Sequence, residues 1–268
     1  MRDPDDTEVP EKRSLSKGEW AAVVVAVLVV AGAAWVWIRR PGDAGPKLQA
    51  AAEAPAAPGA AAAAPDAPVA PVSDDEVRAA LGGVSSDAAF KRWLAAADEL
   101  VRRWVVVTDN LDHGESPRKV LEAAGPKDPF QVTQRGGKTF IAPRSYARYD
   151  EFAGAVASVD VTAMAAVYRK LHPALEAAYR ALGYPGGSLD AATARALRRI
   201  EGAPVVEGEV ELTPDRGVYL YADPKLEQLR QVEKHLLRMG PKNERAVQAK
   251  AKELREALSL GVEPAAAK

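Results

Sequence analysis

Residues 87–112 read DAAFKRWLAAADELVRRWVVVTDNLD. Phe90, Trp93, Leu94, Ala97, Leu100, Val101, Trp104, Val105, Thr108 and Leu111 recur there at three- and four-residue spacing, the period of one helix face turned to a core. Lys91, Arg92, Glu99, Arg102 and Arg103 fall largely outside that stripe. Ser85, Ser86 and Asp87 supply its start signals and Gly114 its end, so one long core helix is expected. A chain organised around such a helix is expected to be mainly α.

The flanking sequence extends this pattern. Upstream, Ser73-Asp74-Asp75-Glu76 has the form of a capping box and Gly82-Gly83 ends the short helix it opens. Downstream, Ser116-Pro117 and Gly125-Pro126 bracket another short helix. Phe130–Thr133 and Thr139–Ile141 flank Gly136-Gly137, which reads as a β-hairpin. Pro143 then leads into a helix through Tyr146, Tyr149, Phe152 and Val156. Asp160 caps a long helix to Leu182, with Pro173 predicting a kink near His172. Ser188 caps the next helix. Val205–Leu212 and Val218–Tyr221 flank Thr213-Pro214-Asp215-Arg216-Gly217, a second hairpin composition. Asp223-Pro224 opens a helix through Leu226, Leu229, Val232, Leu236 and Leu237, Met239-Gly240-Pro241 ends it, and a last helix reaches Leu258. The expected domain is compact and helical, covers residues 73–260, and carries one or two small β-hairpins. Residues 261–268 read as a disordered C-terminal tail.

A second stretch governs placement in the cell. Residues 20–38, WAAVVVAVLVVAGAAWVWI, contain no charged residue. As a helix they reach roughly 28 Å, against a hydrocarbon core of about 30 Å. Trp20, Trp35 and Trp37 stand at the ends of the run and Arg39-Arg40 stop it, which fits a retained span with interfacial anchors. Ala31-Gly32-Ala33 resembles a cleavage site, but the apolar run continues past it to Ile38. Lys12, Arg13 and Lys17 precede the span and Arg39, Arg40 and Lys47 follow it, so flanking cations do not fix its direction. The short 1–19 tail is expected inside and the larger domain outside, in the bacterial periplasm. Residues 41–72 hold fourteen Ala and seven Pro. The 39–72 linker is therefore expected to be disordered, reaching between roughly 30 Å and roughly 100 Å.

Composition narrows function. The chain has 36 basic and 37 acidic residues, of which 7 and 9 lie in residues 1–72. The remaining 29 and 28 give the domain no basic excess for nucleic acid. With zero cysteines, thiol catalysis, disulfides and thiolate metal sites are excluded. No nucleophile elbow, zinc-protease helix, Walker loop or dinucleotide fingerprint is present, and no cofactor or metal is expected. His113, His172 and His235 lack a second ligand at metal spacing, and Asp109 and Asp112 could pair. Seven tyrosines could line a groove or pack the rim of the core. Tyr168, His172, Tyr184, Arg238 and Asn243 make up a candidate binding surface. Gly183–Leu197 is similar to the small helical peptidoglycan-binding repeat, but its Asp190-to-Thr193 spacing is shorter and lacks glycines.

Trp104–Pro117 (WVVVTDNLDHGESP), Tyr168–Leu189 (YRKLHPALEAAYRALGYPGGSL) and Leu236–Leu254 (LLRMGPKNERAVQAKAKEL) together resemble a bacterial family catalogued as domain of unknown function 3014. The resemblance runs over residues 77–260. It implies the layout of tail, span, linker and helical domain, and an envelope role by analogy; it brings no catalytic residues with it. The expected function is a non-enzymatic binding or scaffold module with one membrane span and a protein or cell-wall partner. A glycan- or peptidoglycan-binding module is the alternative, and an enzyme of unrecognised type a second one.

Overall fold

The computed structural model describes residues 69–260. The expected tail, the 20–38 span with Trp20, Trp35, Trp37, Arg39 and Arg40, most of the 39–72 linker and the 261–268 tail lie outside the described residues. Among the described residues no single helix is long and apolar enough to cross a membrane. The elements are α1 (Asp74–Leu81), α2 (Ala88–Ala96), α3 (Leu100–Asp112), β1 (Val132–Arg135), β2 (Lys138–Ile141), α4 (Pro143–Ala147), α5 (Asp150–Ala157), α6 (Val161–Ala181), α7 (Leu189–Glu201), β3 (Glu211–Asp215), β4 (Val218–Tyr221), α8 (Pro224–Glu227) and α9 (Gln231–Leu258). The domain is mainly helical with two small hairpins.

The long helix expected over 87–112 is two helices, α2 and α3, separated at Glu99, whose φ of 51° is left-handed. The cause lies in α1. The Asp74 carboxylate accepts the backbone N–H groups of Glu99 (2.7 Å) and Leu100 (2.8 Å), and so caps α3. Arg78 donates to the carbonyls of Leu94 (3.2 Å) and Ala97 (2.7 Å) at the end of α2. The backbone groups freed by the break are thus met by side chains from another helix. α1 itself opens with the expected capping box at Ser73 and Glu76.

Two further expected helices are also divided: α4 and α5 part at Tyr149, and α8 ends before α9 begins at Gln231. The 116–125 stretch forms two 3₁₀ turns, Pro117–Lys119 and Glu122–Ala124. α6 remains one element through Pro173, which lies on its exposed side. The expected break in the last helical segment is present: α9 kinks at Gly240, with φ 75° and ψ 161°. A Cβ there would lie 2.6 Å from Cγ of Tyr146. Glycine is therefore required both for its backbone conformation and for the close approach of α4.

Gly136-Gly137 (φ 58° and 75°) and Arg216-Gly217 (φ 43° and 89°) turn the two hairpins with the left-handed pairs such turns demand. β2 also pairs with β3, Thr139 opposite Leu212 and Phe140 opposite Glu211. The hairpins therefore form one antiparallel sheet of order β1-β2-β3-β4. Ile141, Leu212 and Tyr221 from that sheet cluster with Val210 and with Leu237 of α9. The main core lies among the helices and includes Phe90, Leu100, Leu111, Leu175, Leu197 and Leu236. α9 joins the two cores through its neighbouring residues Leu236 and Leu237.

Candidate functional site

Tyr168, His172, Glu176 and Arg180 occur every fourth residue of α6 and so share one face. That face meets the start of α7, where Ser188 caps by accepting the Ala191 N–H. The Tyr168 hydroxyl donates to Asp190 Oδ1 at 2.7 Å, and His172 Nε2 lies 3.1 Å from the same oxygen. Glu176 Oε2 accepts the Leu189 N–H at 2.9 Å, and Arg180 lies 3.3 Å from its other oxygen. Burial pushes the Tyr168 hydroxyl well above its ordinary value, with the Asp190 carboxylate acting in the same direction. It remains a neutral donor throughout the physiological range. The whole ladder is an interhelical clamp.

Beside it, Asp109 and Asp112 do not pair with each other. Buried Asp112 receives a bidentate Arg195 at 2.7 and 2.6 Å, and its carbonyl accepts from Arg199 at 3.0 Å. Asp109 lies 3.2 Å from His113 Nδ1. The Tyr184 hydroxyl, bonded to Asp109, is held above its ordinary value by that carboxylate. The Tyr184 ring stacks on Tyr179 at 5.2 Å and on His113 at 6.1 Å. Trp104, Thr108, Leu111, Met164, Tyr168 and Leu254 help line a small adjoining apolar cleft.

A different polar cluster surrounds the first arm of α9 and the α4–α5 junction. His235 is 2% exposed; its Nδ1 lies 2.8 Å from Ser116 Oγ and its Nε2 has no partner. Tyr149, 1% exposed, meets the His235 ring edge-on at 6.2 Å, and its hydroxyl also lacks a partner. Arg148 lies over the Tyr149 ring at 5.5 Å. It donates to the carbonyls of Ser145 (3.1 Å) and Asp128 (2.8 Å) and keeps a third nitrogen, Nη2, buried without a partner. Glu244, 1% exposed, has one carboxyl oxygen in the same condition. Arg238 lies over the Tyr221 ring at 5.9 Å, while the Tyr221 hydroxyl donates to the Lys234 carbonyl at 3.0 Å.

Seven buried side-chain atoms lack a hydrogen-bond partner among the described residues, and four of them belong to this junction. The other three, on Thr108, Asp109 and Arg199, lie on α3 and α7. Burial shapes the protonation of the junction. It raises the Glu244 carboxyl to about 8 and holds His235 well below its usual range, with Arg238 and Arg118 acting in the same direction. It also raises the Tyr149 hydroxyl, against the pull of Arg148, Arg238 and Arg118. Near neutral pH the buried members are thus uncharged while three guanidiniums stand around them. The acidic neighbours are Asp128, beside Arg148, Glu227, which is ion-paired with Lys234, and Asp150, which accepts from Asn243 and faces Lys242.

The five expected surface residues are therefore sorted rather than united. Tyr168 and His172 belong to the α6–α7 clamp, and Tyr184 to the aromatic stack. Arg238 and Asn243 lie on either side of the Gly240 kink. Tyr168 and Asn243 are buried. The amide nitrogen of Asn243 faces the Tyr146 carbonyl (3.1 Å), Asp150 Oδ1 (2.9 Å) and the Met239 carbonyl (3.2 Å), a brace across the kink. Tyr149, Arg148, His235 and Glu244 are not among the five expected surface residues. Two of them carry a sequence signal. His235 lies in the stripe Val232, His235, Leu236, Met239, and Glu244 in the stripe Gly240, Glu244, Val247, Ala251, Leu254. A polar residue at an apolar position of helical period is a buried polar group. Among the described residues no group of three His, Asp or Glu side chains is placed to hold a metal ion.

The fold and its junction define a class: a mainly helical domain whose kinked last helix carries a small sheet and a buried polar cluster. Residues 100–255 match the family described as "Protein of unknown function (DUF3014)", and the chain belongs to that family. All three sequence segments that carry the resemblance fall inside the matched range. No curated protein and no solved structure matches the chain.

Proposed function

We propose that this protein is a membrane-tethered, non-enzymatic binding module of the bacterial cell envelope. Its binding site is the polar junction of α4, α5, β4 and the kinked α9. One observation carries the reading: three residues joined by ring contacts, Arg148, Tyr149 and His235, each keep a buried polar atom without a partner, and Glu244 on the same kinked helix keeps a fourth. Each such atom costs about 1–3 kcal/mol in a finished fold. Grouped, they point to a component that the described chain does not itself supply. The α6–α7 clamp supports the non-enzymatic part of the reading, because the polar groups of Tyr168, His172 and Glu176 are engaged by Asp190 and the α7 backbone, and the cleft that Tyr168 helps line is apolar.

The tether rests on the 20–38 run with its tryptophans and Arg39-Arg40, followed by a linker with reach. The tail lies in the cytoplasm and the domain in the periplasm, facing a protein or cell-wall partner. A reporter active only outside the cytoplasm, fused after Lys268, tests the orientation; an inactive fusion contradicts it. Photo-crosslinking residues in place of Lys119 and Lys242, both exposed, are expected to capture the partner in cells. The same residue in place of exposed Lys170 on α6 is expected not to. Equal capture at all three positions would remove the junction as the site.

The glycan-binding alternative draws on the half-buried Tyr184 stack. That ring already stacks on Tyr179 and His113, and Asp190 and Arg195 are engaged within the fold. Cosedimentation of the full chain with purified cell wall tests it, and absence of pelleting counts against it.

A further inference from the structure

We infer that the junction around Tyr149 and His235 binds a phosphate group, an inference that rests on the junction being the binding site. The unpartnered atoms here are mainly donors. Arg148 Nη2 and the Tyr149 hydroxyl each carry a hydrogen with nowhere to place it. When Ser116 Oγ donates to His235 Nδ1, the proton of the neutral ring sits on the unpartnered Nε2. Three donors of different chemistry are thus gathered within one set of ring contacts. Arg148 lies 5.5 Å from the Tyr149 ring centre, and that ring lies 6.2 Å from His235.

Charge makes the same selection. Arg148, Arg238 and Arg118 all act on the Tyr149 hydroxyl, and Arg238 and Arg118 on His235. Arg118 is exposed and Arg148 and Arg238 are half-buried, while Tyr149 and His235 are buried, so the cations are the more accessible members of the cluster. The Glu244 carboxyl is kept protonated near neutral pH by burial and so does not oppose an anion. Glu227 is ion-paired with Lys234 and accepts the Tyr221 N–H, and Asp150 is engaged by Asn243 and Lys242; Asp128 remains beside Arg148. A planar carboxylate offers two oxygens and leaves donors unused. A phosphate offers three or four, and guanidiniums meet them in pairs.

Thermal unfolding of the full-length protein in an uncharged detergent, followed by circular dichroism at pH 7, tests this. Inorganic phosphate is compared with acetate and chloride at matched ionic strength. Phosphate is expected to raise Tm saturably, as ligand linkage requires, and acetate and chloride are not. Arg148→Gln is expected to weaken apparent phosphate affinity by about tenfold or more, although it also removes two backbone contacts. Arg118→Gln, at an exposed position, is expected to weaken the response as well. No saturable rise, an equal rise with acetate, or an undiminished rise in Arg118→Gln overturns the inference.

The same titration in phosphatidylcholine nanodiscs, with and without phosphatidic acid, separates the sources. A phosphate response lost only with phosphatidic acid assigns the site to a lipid headgroup; a response kept in both assigns it to free phosphate. Crosslinking at positions 119 and 242 without any phosphate response would leave the binding module standing and remove only its ligand.

Discussion

Tyr168 and Tyr149 are both buried, at 4% and 1% exposure, and both rings pack on helices of the main core. The Tyr168 hydroxyl ends on Asp190, with Thr193 at 3.4 Å; that of Tyr149 ends on nothing among the described residues. The α6–α7 clamp and the α9 junction therefore use the same residue types to opposite ends. In the clamp each polar group stabilises a helix–helix contact. In the junction the groups are positioned by their neighbours and still have hydrogen-bonding capacity in reserve. Polar side chains alone do not mark a binding site; a group of them whose buried atoms lack partners calls for an explanation.

The largest expected effect removes the scaffold of the junction. Gly240→Ala places a Cβ against the Tyr146 ring at a left-handed position, and is expected to cost about 3–4 kcal/mol in denaturant unfolding. A loss well under about 1 kcal/mol would show that the kink is not required.

Glu244→Gln comes next and depends on pH. The Glu244 carboxyl is raised from 4.5 to about 8 by burial, so the folded state keeps a proton that the unfolded chain releases. Its contribution is fully present below pH 4.5 and declines as pH rises through about 8. His235 acts oppositely: its folded value lies well below 6.5, so its contribution is present above pH 6.5 and lost as pH falls below that value. Between about pH 6.5 and 8 the Glu244 effect is thus expected to dominate. Relative to wild type, Glu244→Gln is expected to gain on the order of 3 kcal/mol between pH 5 and 9, read as a widening gap in unfolding free energy. A constant gap would mean that Glu244 is ionised in the fold.

In the clamp region, Asp112→Ala breaks the bidentate pair with Arg195. The Arg195 side chain is 52% exposed, so solvent screens it, and a loss of about 2 kcal/mol is expected in chemical denaturation rather than that of a fully buried pair. An unchanged midpoint would show that the pair adds nothing to the α3–α7 contact.

Much of the architecture can be read from local chemistry. The Ser73–Glu76 box, the Asp160 and Ser188 caps, both hairpin turns and the Gly240 break each depend on residues within a few positions of one another. The break between α2 and α3 does not. Ala95 to Leu100 favour helix locally, and what interrupts them is Asp74 and Arg78, placed there only by tertiary packing. The joining of the hairpins through Thr139 and Leu212 is also a long-range event with no local mark. In the site, the Tyr168–His172 spacing is visible in the sequence, but their shared partner Asp190 comes from another helix. His235 and Glu244 were readable as polar intruders in apolar stripes. Their meeting with Tyr149 and Arg148 depends on the kink, which turns α9 against α4 and α5.

The most direct test compares the two tyrosines. Tyr168→Phe and Tyr149→Phe are made in the full-length protein and unfolded with denaturant in phosphate-free buffer. Tyr168→Phe is expected to lose about 1 kcal/mol with its hydrogen bond, while Tyr149→Phe stays within about 0.5 kcal/mol of wild type or gains stability. An equal loss in both variants would mean that the Tyr149 hydroxyl is satisfied within the fold, and would contradict the account of the junction as a binding site.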